Sequence, residues 1–296
     1  MKICVPGGCG YIGSTLVPFL LSQDHEVTVV DTQWFGKGYL PDNENLTVIK
    51  GDISDASGTY DSVIYLAGLT SDSACRDYPE AAKKANSLSF NTFVPKVPAR
   101  RFVFMSSVAV YGNGLNLDVH SSLRPTTPYG EFKKQCEEDL SGLDAIIIRS
   151  AGVVGYAPRM RFDLTLNRMV RDAFNGKITV NGGEQYRPHV HIRDLVDNLI
   201  KAATGKLKPG VYNLVRENMT VSHSAMLVSK HVPCEVKFTE RTDNRSYSVK
   251  SNLPATRDLE EAIIDLHARF KEGYWINPHD PQYMNLPKKE DMEAYA

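Results

Sequence analysis

Short runs of Val, Ile and Leu alternate with longer stretches of helical period along the first half of the chain. KICVPG (from Lys2), HEVTVVD (from His25), NLTVIKGD (from Asn45), DSVIYLAG (from Asp61), RRFVFMSS (from Arg100) and DAIIIRS (from Asp144) read as six strands. Most are continuous apolar runs, the mark of strands buried on both faces in a parallel sheet covered by helices. GYIGSTLVPFLLSQ, YPEAAKKANSLSF and PYGEFKKQCEEDL, lying between strands, have helical character. The alternation predicts an α/β fold, a Rossmann-type doubly wound parallel sheet.

The second half is less regular. FDLTLNRMVRDAFNG and RDLVDNLIKAATGK read as amphipathic helices stopped at Gly176 and Gly205. EVKF and VYNLV are short strand candidates, and DLEEAIIDLHARFKEG is a final helix. A smaller mixed α/β C-terminal lobe follows from this mixture. The segment from Tyr274, rich in Pro, Asn and Lys, is expected on the surface.

Composition changes this picture little. With 34 basic and 35 acidic residues the net charge is −1, so neither nucleic acid nor an anionic membrane is expected as a partner. Five cysteines, Cys4, Cys9, Cys75, Cys136 and Cys234, contain no CxxC pair. No zinc site, no other metal and no disulfide framework is expected, and a reducing cytoplasm fits. The opening MKICVPGGCG is too short and glycine-rich for a signal peptide, and the absence of a run of about 20 apolar residues argues against a membrane span.

Chemistry enters with VPGGCGYIGS. Gly7, Gly10 and Gly13 recur at three-residue spacing between a strand and a helix, with Tyr11 and Ile12 opening that helix. Glycine lets the backbone turn tightly against a diphosphate, and the helix N-terminus supplies N–H donors and a positive dipole end. Asp31 ends the next strand, where a carboxylate meets a ribose 2′-hydroxyl and repels a 2′-phosphate. NAD is therefore expected rather than NADP. Asp52 and Ile53, after the third strand, fall near the adenine end of such a site. Leu66, Ala67 and Gly68 end the fourth strand at the same crevice. Downstream, Tyr129 precedes Lys133 by four residues, one helical turn. A nearby ammonium stabilises phenolate and makes tyrosine a general base. Alone, the pair reads more readily as a surface contact.

GGCGYIG, LAG, SSVAVYG, PYGEFK, IIIRSAGVVG and YRPHVHIRDL occur in an order that resembles the extended short-chain dehydrogenase/reductases of the nucleotide-sugar epimerase/dehydratase family, from about Met1 to Phe270. The resemblance implies that Ser107, beside Ser106, joins Tyr129 and Lys133 as the catalytic set. Tyr129 exchanges a proton with a sugar hydroxyl, Lys133 also holds the nicotinamide ribose, and Ser107 hydrogen-bonds the same sugar oxygen. Arg187 and Arg245 match diphosphate-binding arginines of a nucleotide-diphosphate sugar substrate. Asn86 matches an asparagine near the active site. His189 and His191 are expected to pack or contact backbone, and Cys75 to be a buried, inert thiol. Residues 1–155 are expected to form the NAD-binding domain, with 185–215 returning to it, and 156–296 mainly the substrate lobe.

Three departures from the family pattern qualify this. Val108 and Ala109 stand where the 4,6-dehydratases carry an Asp-Glu pair, so dehydration is disfavoured. Pro95 and Pro98 interrupt a helix that commonly builds the family's dimer interface, so a homodimer through it is in question. Gly152 replaces a usual asparagine, and Phe132 a usual serine or threonine. The leading expectation is an NAD-dependent nucleotide-sugar epimerase. A nucleotide-sugar 4-ketoreductase or dehydrogenase with exchangeable NAD(P)H, and a non-catalytic dinucleotide-binding regulatory protein, stay open.

Overall fold

The computed structural model describes residues 1–36, 38–241 and 244–296. Seven strands form one wholly parallel sheet. In spatial order they are Gly210–Leu214, Ala145–Ser150, Phe102–Ser107, Ser62–Tyr65, Lys2–Pro6, Glu26–Asp31 and Leu46–Lys50. Chain order reverses at Lys2–Pro6, which leaves a crevice at the carboxyl ends of the first strand and its neighbours, the place where such sheets bind ligands.

The continuous apolar runs of the inner strands are buried on both faces as expected, whereas the edge strand Leu46–Lys50 is largely exposed. Ile3 and Val5, Val103 and Met105, Ile146 and Ile148 join one core, with Leu16, Val17, Leu195 and Leu199 from the helices Tyr11–Leu21 and Ile192–Ala203. Cys4, Phe104, Ala145 and Ile147 point the other way, into a core with Phe90, Phe93, Cys136 and Leu140. The period-two alternation of side chains thus feeds two apolar layers from one strand.

Three small sheets build the lobe. Gly152–Val154, Tyr186–His191 and Glu217–Thr220 form one. Lys177–Asn181 pairs with Glu235–Thr239, and Gly114–Leu117 with Tyr247–Val249. The helix Ser89–Lys96 carries Pro95 in its last turn and continues a π-helical turn, Lys84–Leu88. Among the described residues no helix is long and apolar enough to cross a membrane.

One expectation is refined. Most of the segment after Tyr274 does lie on the surface, but it is anchored: Trp275 is 6% exposed and Met292 0%. Its polar composition hides a few large apolar anchors. Trp275 packs on Phe270 and Phe162, with ring centroids 4.6 and 5.0 Å apart.

Candidate functional site

The crevice is an open-mouthed cleft of about 950 Å³, counted out into its mouth. Gly7, Gly10, Tyr11, Ile12, Gly13, Asp31, Ile53, Leu66, Ala67 and Gly68 all line it. Gly7 sits at φ +79°, and a Cβ there would lie 2.6 Å from the Ala67 nitrogen. A Cβ on Gly13 would lie 2.3 Å from the Gly8 carbonyl oxygen. Side chains are thus excluded where the loop closes on the sheet and on its own helix.

Asp31 Oδ2 accepts from Cys9 N at 3.0 Å, and Oδ1 from Gln33 N at 2.8 Å. Burial raises its pKa, against those two amides and Arg159. The side-chain-free cradle and the carboxylate at the end of the second strand fit NAD. Asp52 is placed differently: it is absent from the cleft lining. Its carboxylate caps the turn Ile53–Asp55 through Ser54 N at 2.7 Å and accepts from Ser89 Oγ at 3.0 Å and from the Tyr295 hydroxyl.

Ser107 closes its strand and caps the following 3₁₀ turn, Oγ accepting from Ala109 N at 3.2 Å. Tyr129 is in the first turn of the helix Pro128–Asp139, whose start is set by Thr127 as N-cap and by Pro128. Lys133 lies one turn on, with Nζ 5.9 Å from the Tyr129 ring centroid and 4.7 Å from that of Phe104. It donates to Met105 O at 2.8 Å. Burial lowers its pKa to about 8. The Tyr129 phenol is raised, not lowered: burial dominates, the Arg161 guanidinium and the Ser107 hydroxyl oppose it, and Cys75 and Asp72 add to it. A nearby charge alone would lower it, but the fold also removes the phenol from water.

Arg187 and Arg245, far apart in sequence, come together. Arg187 Nη1 donates to Arg245 O at 2.6 Å, and Arg245 Nη1 lies 3.6 Å from Asp72 Oδ2. Asp72 in turn acts on Tyr129 and Cys75. Cys75 is buried, donates Sγ to Leu69 O at 3.2 Å, and its thiol is pushed up to about 12 by burial. His189 is buried, and burial with Arg187 lowers its pKa to about 3. His191 caps the helix Ile192–Ala203 through Nδ1. Asn86, on the π-turn, donates to Leu69 O at 3.1 Å.

Sequence reasoning missed Arg161, Thr70, Asn285 and Tyr295, all of which line the cleft. Arg161 pairs with Asp163 at 2.6 Å and donates to Thr70 Oγ1 at 2.9 Å. The arginines of YAPRMRFD, directly after the family-like GVVG, were a visible signal for it.

Comparison with known proteins agrees with this geometry. The NAD dependent epimerase/dehydratase family matches residues 3–214. A UDP-glucose 4-epimerase of Halalkalibacterium halodurans is 27% identical over 232 residues, 67% of this chain and 69% of its own. A dTDP-glucose 4,6-dehydratase of Mycolicibacterium smegmatis is 23% identical across 99% of this chain and 98% of its own. The solved UDP-glucose 4-epimerase of Thermotoga maritima with UDP-glucose has a TM-score of 0.83 at 22% identity, covering 93% of this chain and 100% of that one, a likeness of fold. The glycine cradle, the Ser107, Tyr129 and Lys133 set and a family match over most of the chain converge: the protein belongs to the NAD dependent epimerase/dehydratase family of NAD-using enzymes.

Proposed function

We propose that the protein is an NAD-dependent nucleotide-sugar epimerase. The observation that carries this is the Ser107 hydroxyl bonded to the Tyr129 phenol, which also feels Arg161 of the cleft wall, with Val108 and Ala109 following Ser107; Ser107, Tyr129 and Lys133 are not themselves part of the cleft lining. Those apolar side chains cannot transfer the protons that elimination of water would need. NAD, when bound, accepts a hydride from a ring carbon and returns it. Tyr129 takes the hydroxyl proton as the ketone forms and gives it back as the inverted alcohol is restored. Ser107 hydrogen-bonds the reacting oxygen, Lys133 holds the nicotinamide ribose and a positive charge near the phenol, and Arg187 and Arg245 hold the substrate diphosphate. Residues 1–155, with 185–215, hold NAD, and 156–296 mainly the sugar nucleotide. UDP-hexoses are the first substrates to try, because relatives are described as UDP-glucose 4-epimerases.

The test is the cofactor released from freshly purified, acid-denatured protein, together with turnover of Tyr129→Phe. We expect about one NAD per chain without addition, since the cofactor is regenerated in every cycle. Tyr129→Phe should keep that NAD and lose turnover by about 100-fold or more. Unchanged turnover removes Tyr129 from its role. A site that purifies empty, then consumes NADH or NADPH with a keto-sugar nucleotide, moves the assignment to a ketoreductase.

A further inference from the structure

Residues 281–296 lie beyond the region that matches the family, 3–214, yet they reach the cofactor cleft twice. The 3₁₀ turn Pro281–Met284 ends at Asn285, which is left-handed at φ 54° and 8% exposed. Asn285 Nδ2 donates to Thr70 Oγ1 at 3.1 Å, the oxygen that Arg161 Nη1 also holds. The helix Lys289–Tyr295 then carries the chain along the cleft. Met292, on that helix, is fully buried in a cluster with Leu69, Ala74 and Ala85.

At its end Tyr295 donates its hydroxyl to Asp52 Oδ2 and stands edge-on to Trp34, with centroids 5.0 Å apart. Lys84 grips the same residue twice, Nζ bonding Tyr295 O at 2.6 Å and lying 4.7 Å from its ring centroid. Asn285 and Tyr295 both line the cleft. Ordering a segment costs conformational entropy, so a polar stretch stays ordered only where contacts offset that cost. Here the contacts are concentrated on the cleft.

We propose that residues 281–296 are a strap that completes the wall of the NAD cleft and holds the dinucleotide captive, with Asn285 and Tyr295 as its fastening points. Its charge-assisted bond to Asp52 and the Lys84 grip must break before the dinucleotide can leave. A captive cofactor suits chemistry that returns its hydride within one site, whereas a reductase must exchange the cofactor every turnover. The strap rests only on NAD binding, so the epimerase assignment can fail without it, and it can fail without the epimerase assignment.

The test is the rate at which NADH leaves the full chain. NADH-loaded protein is mixed with excess NAD, and the loss of bound NADH fluorescence is followed. Tyr295→Phe keeps the ring and removes the hydroxyl that bonds Asp52. We expect release about tenfold faster, the loss of one charge-assisted bond. Tyr295→Ala, which also loses the ring contacts with Trp34 and Lys84 while keeping the Lys84 bond to its backbone carbonyl, should be faster still. A chain ending at residue 285 should release fastest. If that truncation does not fold, the two point variants decide. Release within twofold of the parent in both point variants overturns the strap. Slower release or tighter binding in either also overturns it, because it would mean that Tyr295 obstructs the adenosine end.

Discussion

Lys133 is a buried ammonium to which, among the described residues, no carboxylate hydrogen-bonds; its Nζ faces a carbonyl and two aromatic rings. Burial lowers its pKa to about 8 from the ordinary 10.5. Below pH 8 the folded and unfolded chains are both protonated there, and the fold bears the full cost of the buried charge. Between about 8 and 10.5 the folded lysine has lost its proton while the unfolded one keeps it, so stability rises with pH. Lys133→Met removes that cost. Its melting temperature at pH 7 should exceed the parent's by about 3 °C. The difference should close as pH climbs through the 8 to 10.5 window in a thermal unfolding series. Turnover should fall by about 100-fold or more. A lower melting temperature at pH 7 would show that the bond to Met105 O outweighs the buried charge. The spacing of Tyr129 and Lys133 was legible, because residues four apart share a helical face. The direction of the Tyr129 pKa was not, because it depends on what the fold packs around the phenol.

Between elements, the helix Pro128–Asp139, which carries Tyr129 and Lys133, is pinned to the sheet by a buried polar network. Ser106, the neighbour of Ser107, donates to Glu137 on the helix that carries Tyr129. Glu137 and Arg149 pair at 2.6 Å, their side chains 4% and 6% exposed. Arg149 Nη1 donates to the Tyr111 hydroxyl at 2.8 Å, which donates in turn to Asn213 Oδ1 at 2.8 Å. Five elements meet in this chain of bonds: three strands of the large sheet, the helix Pro128–Asp139 and the 3₁₀ turn Val108–Tyr111. Glu137→Ala would strand the Arg149 charge, and we expect a loss of about 3–5 kcal/mol in urea unfolding. The double variant Glu137→Leu/Arg149→Met should recover most of it, because no charge is left behind. A loss below about 1 kcal/mol in the single variant would mean that water replaces the lost partner. The strands that converge here were legible as local apolar runs. The network was not: Glu137 reads as one of several acidic residues on a polar helix face until the fold shows which of them points inward.

Whole-molecule organisation was the least legible scale, because Tyr295 and Asp52 lie 243 positions apart and no local pattern joins them. It can be tested through the chain's two tryptophans. Trp34 lines the cleft against Tyr295, and Trp275 is buried in the lobe against Phe162 and Phe270. Two stretches tie these regions together. Phe162 N donates to Tyr283 O at 2.7 Å, and Arg161, next to Phe162, reaches Thr70 at the cleft. Cleft and lobe should therefore unfold as one cooperative unit. In Trp34→Phe, Trp275 emission and far-UV circular dichroism should give one urea midpoint. In Trp275→Phe, Trp34 emission should likewise coincide with circular dichroism. NAD binds only the folded cleft, so it should raise both probes' midpoints together within each variant. In native protein first stripped of its bound cofactor, adding NAD back should alter Trp34 emission and leave Trp275 emission unchanged. A Trp275 transition that precedes the loss of circular dichroism, and that NAD does not move, would show that the lobe opens by itself and that the ties through Phe162 and Arg161 do not couple it to the cleft.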